Sequence, residues 1–113
     1  MAQYEKRFAG DFSDTVNRID KYVMSYGGQV QSAGRFSQNF GAVRTCMLVY
    51  DKYYLRNRSR SSLSVLVTDD GNGCITVAAV GSGGGSGIFF STSYGSEENF
   101  VSAVARAVEE KNF

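Results

Sequence analysis

Apolar residues change rhythm twice along this chain, and the changes divide it into strand, helix, a long run of strands, and helix. Residues 3 to 9 alternate, with Tyr4 and Phe8 sharing a parity, before Gly10 and Asp11 interrupt them; this predicts a short first strand. From Phe12 the steps become four and three. Phe12, Val16, Ile19, Val23 and Tyr26 then form one stripe of an amphipathic helix. Asp11 or Ser13 is placed to cap its first N–H groups, and Gly27 and Gly28 supply the positive φ that commonly ends a helix.

A period of two follows, in runs near 29 to 37, 42 to 55, 61 to 69 and 73 to 81, which predicts an antiparallel meander. In the second run Val43, Thr45, Met47 and Val49 face one way and Cys46, Leu48 and Tyr50 the other. Both faces are fairly apolar, as in a strand with neighbours on each side. The third run sets Leu63, Val65 and Val67 against Ser62, Ser64 and Thr68, the alternation of a half-exposed strand. Asp69-Asp70-Gly71-Asn72-Gly73 is a tight-turn sequence that joins the third and fourth runs as a hairpin.

Gly-Ser-Gly-Gly-Gly-Ser-Gly at 81 to 87 offers little to pack and costs much to order, so it is expected to be a loop, a hinge or a close-approach site. Ile88 to Thr92 reads as one more short strand. Ser96-Glu97-Glu98 then opens a last helix, with a cap and acidic residues at the positive end of its dipole. Phe100, Val104 and Val108, with Val101, Ala105 and Ala107, supply the buried face of that helix.

These elements give an α+β fold: an antiparallel sheet of about five or six strands with two helices on one face, in the order β-α-β-β-β-β-(β)-α, built as a single domain over 1–113. By element order the chain resembles TATA-binding-like and helix-grip domains, in which a curved sheet cradles a terminal helix. The Asp-Gly turn, the Gly-Ser-Gly-Gly-Gly-Ser-Gly-Ile-Phe-Phe segment and the final helix are similar to a small bacterial family of unassigned function. That resemblance carries over no site residues.

Composition narrows the chemistry. The 113 residues are 42% hydrophobic and 20% charged, ordinary for a chain that folds unaided around one core. A net charge of +1 supplies no field to hold a polyanion, so nucleic acid is disfavoured as a partner without a local basic patch. The polar stretch Met1 to Arg7 has no signal-peptide character and no run suits a bilayer, which points to the cytoplasm and to no membrane contact. There Cys46 and Cys74 stay thiols, most simply as two small buried hydrophobes.

Histidine is absent, which excludes imidazole-based triads, imidazole acid–base steps and histidine-containing zinc sites. The two cysteines lack metal-ligand spacing, and no cofactor is called for. The glycine run, including Gly83, Gly84 and Gly85, could cradle an anion with its backbone N–H groups, but it matches neither phosphate-loop motif, and a plain connection is the simpler reading. Arg56, Arg58 and Arg60, spaced by two and preceded by Tyr50, Tyr53 and Tyr54, would project from one face of an extended segment. They could hold a phosphate or carboxylate beside stacking rings, or merely keep a hairpin tip soluble. Each carboxylate pair has a structural explanation: Asp69-Asp70 in a turn, Glu97-Glu98 at a helix start, Glu109-Glu110 at a fraying end.

The ranked expectation is a noncatalytic domain that binds a small apolar or anionic ligand or forms a homodimer. It is followed by an anion- or nucleic-acid-binding module using the arginines, with Tyr54 beside them. An enzyme acting on a phosphorylated small molecule comes third.

Overall fold

The structure, a computed structural model, describes residues 2–25, 30–54, 59–83 and 101–110. Strand β1 (Ala2–Ala9) leads into helix α1 (Phe12–Met24), then β2 (Val30–Phe40), β3 (Val43–Tyr54), β4 (Ser59–Asp69) and β5 (Cys74–Gly83). A second helix, α2, is described over 101–109. The strands form one antiparallel sheet in the order β1-β5-β4-β3-β2. The element order is that of the sequence reading; the expected strand at Ile88 to Thr92 lies outside the described residues.

Alternation decides which side of each strand is buried. Cys46, Leu48 and Tyr50 of β3, Leu63, Val65 and Val67 of β4, and Ile75, Val77 and Ala79 of β5 form one face. They pack with Val16, Ile19 and Val23 of α1 and with Val101, Ala103, Val104, Ala107 and Val108 of α2, while Tyr4 and Phe8 of β1 border the cluster. Each fully buried aliphatic side chain stabilises this layer by about 1.5–3 kcal/mol. Both described helices therefore cover the same side, and among the described residues no helix lies on the other side of the sheet.

Helix α1 starts where Asp11 accepts a hydrogen bond from Asp14 N at 2.8 Å, so Asp11 rather than Ser13 is the cap. The helix ends at Met24, before the glycines expected to stop it. The Ser25 N–H and hydroxyl both donate to the Lys21 carbonyl, at 3.2 and 2.8 Å, and so satisfy a backbone group left over at the helix end.

The β4–β5 hairpin follows its turn sequence. Asp69 accepts from Gly71 N at 2.9 Å, Asp70 accepts from Asn72 N at 2.7 Å, and Gly71 and Gly73 hold φ of +85° and +87°. Asp69 also takes Arg44 Nη2 at 2.9 Å, and that guanidinium lies 4.8 Å from the Phe12 ring centre. This end of the sheet is thus tied to the start of α1. At the outer edge, β2 bulges between Ser32 and Gly34, which bends a strand whose free side would otherwise offer a straight pairing template.

Three sequence expectations change. The strand expected to end at Gly81 runs on through Ser82 and Gly83, which pair with Ser62 and Ser61 because β4 supplies a ladder that orders their backbone. Glu109 and Glu110 do not fray. Glu109 accepts from Tyr4 Oη at 2.8 Å and Lys6 Nζ at 2.6 Å, and Glu110 accepts from Tyr22 Oη at 3.2 Å. Cys46 is buried as expected, but Cys74 is only partly so, with Arg7 Nε donating to its sulfur at 3.1 Å.

Candidate functional site

The helix-free side of the sheet carries an apolar strip. Register sets Phe36 opposite Met47, Met47 opposite Leu66, and Leu66 opposite Ala78, a single row across four strands. Val80 and Val49 stand in the next row, opposite Ser64 on either side. Phe36 is 61% exposed, Met47 40%, Leu66 42% and Val80 40%, while Val65, one residue from Leu66 on the other face, is fully buried. The sequence showed the apolar parity of Met47 and Val49. It did not show that Phe36 and Leu66 would line up with them, since that depends on pairing between strands.

At the end of the sheet where β3 passes to β4, the strip gives way to polar groups. Gln31 pairs with Asp51, Asp51 with Ser62, and Ser62 with Ser82; Tyr53 pairs with Arg60. By alternation all of these lie on the helix-free side. A cavity of about 380 Å³ opens here, and the described residues lining it are Gln31, Asp51, Tyr53 and Arg60. Among the described residues none of these four has a hydrogen bond or ion pair to another side chain, whereas Ser62 and Ser82 bring their hydroxyls within 3.2 Å of each other.

The residues singled out from sequence fall partly at this end. Arg60 lines the cavity. Gly83 lies across the ladder from Ser61, Arg60's neighbour in β4, so the arginine run and the glycine run meet the sheet on adjacent strands at one end. Tyr54 closes β3, paired with Ser59. Arg56, Arg58, Gly84 and Gly85 lie outside the described residues. Tyr53, Asp51 and Gln31 complete the cavity, and the last two were not anticipated. Their odd numbering with Met47 and Val49 was the available signal for Asp51 and Tyr53; Gln31 is brought in by β2–β3 register alone.

Under the helices the ionisable groups are of another kind. Tyr50 Oη donates to Asp20 Oδ1 at 2.8 Å, and burial first, then the Asp20 carboxylate, push its ionisation far above the usual tyrosine range. Tyr4 is raised in the same way by burial and Glu109. Asp69 is held below the usual carboxylate range, mainly by the Gly71 N–H and then by Arg44. Ser61 Oγ is buried without a hydrogen-bond partner among the described residues. No three potential metal ligands gather among the described residues, and none of the described helices is long and apolar enough to cross a membrane.

Likenesses to solved structures occur at low sequence identity, one of them with a TM-score above 0.5. A conserved protein from Geobacillus kaustophilus aligns over 96% of this chain and 92% of its own, with a TM-score of 0.54 and 8% identity. The hypothetical protein jhp0584 from Helicobacter pylori aligns over 90% of this chain and 83% of its own, with a TM-score of 0.49 and 14% identity. No curated protein matches the chain in sequence. Residues 1–112, nearly the whole length, match the family of unknown function DUF6054, and the chain belongs to that family.

Proposed function

We propose that this chain is a noncatalytic assembly domain of helix-grip type whose helix-free sheet face is covered by a second copy of itself. The observation that carries the reading is the exposed row Phe36, Met47, Leu66 with Val80 beside it. With both described helices on one side, no described element covers the other side of the sheet. Isolated apolar residues there need no explanation, but a continuous row across neighbouring strands is the usual mark of an interaction surface. Symmetric pairs dominate soluble oligomers, and a sheet face can meet its own copy by face-to-face packing.

Charge supports the same occupant. Glu5 and Arg7 border the strip on β1, so that border carries both signs. A two-fold contact then brings no block of like charge onto itself, and the net charge of +1 adds little repulsion between copies. The element order, and two helices packed against one face of the sheet, support the helix-grip description.

Sedimentation of the full chain over a concentration series tests this. The wild-type chain is expected to dimerise and Leu66→Lys to remain monomeric with an unchanged circular dichroism spectrum. A wild-type monomer up to its solubility limit would overturn the reading, as would a dimer indifferent to both Leu66→Lys and Met47→Lys.

A further inference from the structure

We propose that the cavity whose described lining is Gln31, Asp51, Tyr53 and Arg60 is a binding site for a compact zwitterion of the amino-acid type. The inference is separate from the dimer reading and rests on how unlike charges are arranged in one opening.

Asp51 pairs across the ladder with Ser62, and Arg60 pairs with Tyr53, which makes Asp51 and Arg60 diagonal neighbours on β3 and β4. Such neighbours have Cα atoms about 7–8 Å apart, near enough for long side chains to meet. Asp51 and Arg60 nevertheless form no ion pair with each other. Among the described residues neither charge has an ionic partner, and both line the same cavity.

This arrangement selects among ligand classes. A simple anion held by Arg60 meets the Asp51 carboxylate, and a simple cation held by Asp51 meets the Arg60 guanidinium. A molecule carrying a carboxylate and an ammonium group satisfies both, the carboxylate accepting the forked N–H groups of Arg60 and the ammonium donating to Asp51. Tyr53, directly opposite Arg60, supplies a flat apolar wall on which an aliphatic or aromatic portion can rest. Gln31, directly opposite Asp51, adds an amide that both donates and accepts. The volume of about 380 Å³ lies at the small end of ligand cavities, which suits a single compact molecule rather than a polymer segment.

The test is a thermal-shift screen of the wild-type chain against the standard amino acids. Calorimetric titration follows, with the tightest of them and its N-acetyl and methyl-ester forms. Saturable binding of the zwitterion is expected, weakened at least tenfold by either blocking group and at least tenfold by Arg60→Gln or Asp51→Asn, each variant first checked for a native spectrum. No saturable binding by any amino acid overturns the proposal. An acetylated form that binds as well as the parent, together with an indifferent Asp51→Asn, identifies a plain anion site and overturns it too, as does binding that survives both substitutions. Leu66→Lys is expected to bind as the wild type does, so failure of the assembly reading and failure of this one are told apart.

Discussion

The Phe36 ring occupies the space that a side chain on Gly34 would need: a Cβ at that position would stand 2.9 Å from Phe36 Cε2. A glycine in an edge strand is weak because it packs nothing, and a neighbouring aromatic ring laid over it restores part of the lost cover. At the other end of the sheet Gly71 is crowded by backbone as well as side chain, with a Cβ 2.8 Å from Ala42 Cβ and 3.1 Å from Ala42 O, at a φ of +85°. Gly73 shares the positive φ but has open space around it.

These three glycines are expected to rank in tolerance. Gly34→Ala moves only an exposed ring and narrows the unfolded ensemble, for a net change within about 1 kcal/mol. Gly73→Ala pays the left-handed backbone alone, about 1–2 kcal/mol. Gly71→Ala adds a clash with the β2–β3 turn and is expected to cost more than Gly73→Ala. Urea unfolding of the three variants checks the order, and Gly71→Ala as mild as Gly34→Ala would contradict it.

Alkaline stability is expected to depend on Tyr50. Its ionisation is raised in the fold, so the native state keeps a proton that the unfolded chain loses from about pH 10 upward. Stability is complete below that point and falls as pH rises beyond it; Tyr4 acts in the same direction. Tyr50→Phe is expected to flatten this alkaline fall while costing about 1.5 kcal/mol at neutral pH through the lost bond to Asp20. Unfolding midpoints against pH, with tyrosinate absorbance, give the comparison.

Acid is expected to loosen the grip on α2. The Glu109 carboxylate is held below its ordinary range, first by the hydrogen bond from Lys6 and then by that from Tyr4. A lowered acid stabilises the fold above the unfolded carboxylate value near pH 4.3 and loses that contribution as pH falls through the native value. Asp69 acts with the same sign. Glu109→Gln is expected to lower stability at neutral pH and to make the acid limb of the profile shallower. An acid limb identical to wild type would show that the contact to β1 contributes nothing.

Local rhythm was enough for the elements and for the buried faces of α1 and β4, because helix stripe and strand parity are properties of a few consecutive residues. Val16, Ile19 and Val23, and Leu63, Val65 and Val67, are buried where the spacing placed them. Strand order was not legible, since nothing within Ala2–Ala9 announces that its partner is β5. Gly83 misled for a related reason: the composition around it favours a loop, and only pairing with Ser61 across the ladder holds it in a strand. The candidate cavity was half legible. Arg60 stood out by its spacing in an arginine run, but Gln31 and Asp51 meet it through two registers that the sequence does not write down.

Pairing β1 with β5 also has a consequence for the order of folding. Residues 2–9 find their ladder partner only once residues 74–83 are in place, and contacts that join distant parts of a chain form slowly. Until then the backbone N–H and C=O groups of that stretch have no ladder to join. Glu5, Lys6 and Arg7 give that stretch charge of the kind that disfavours pairing with a stray edge.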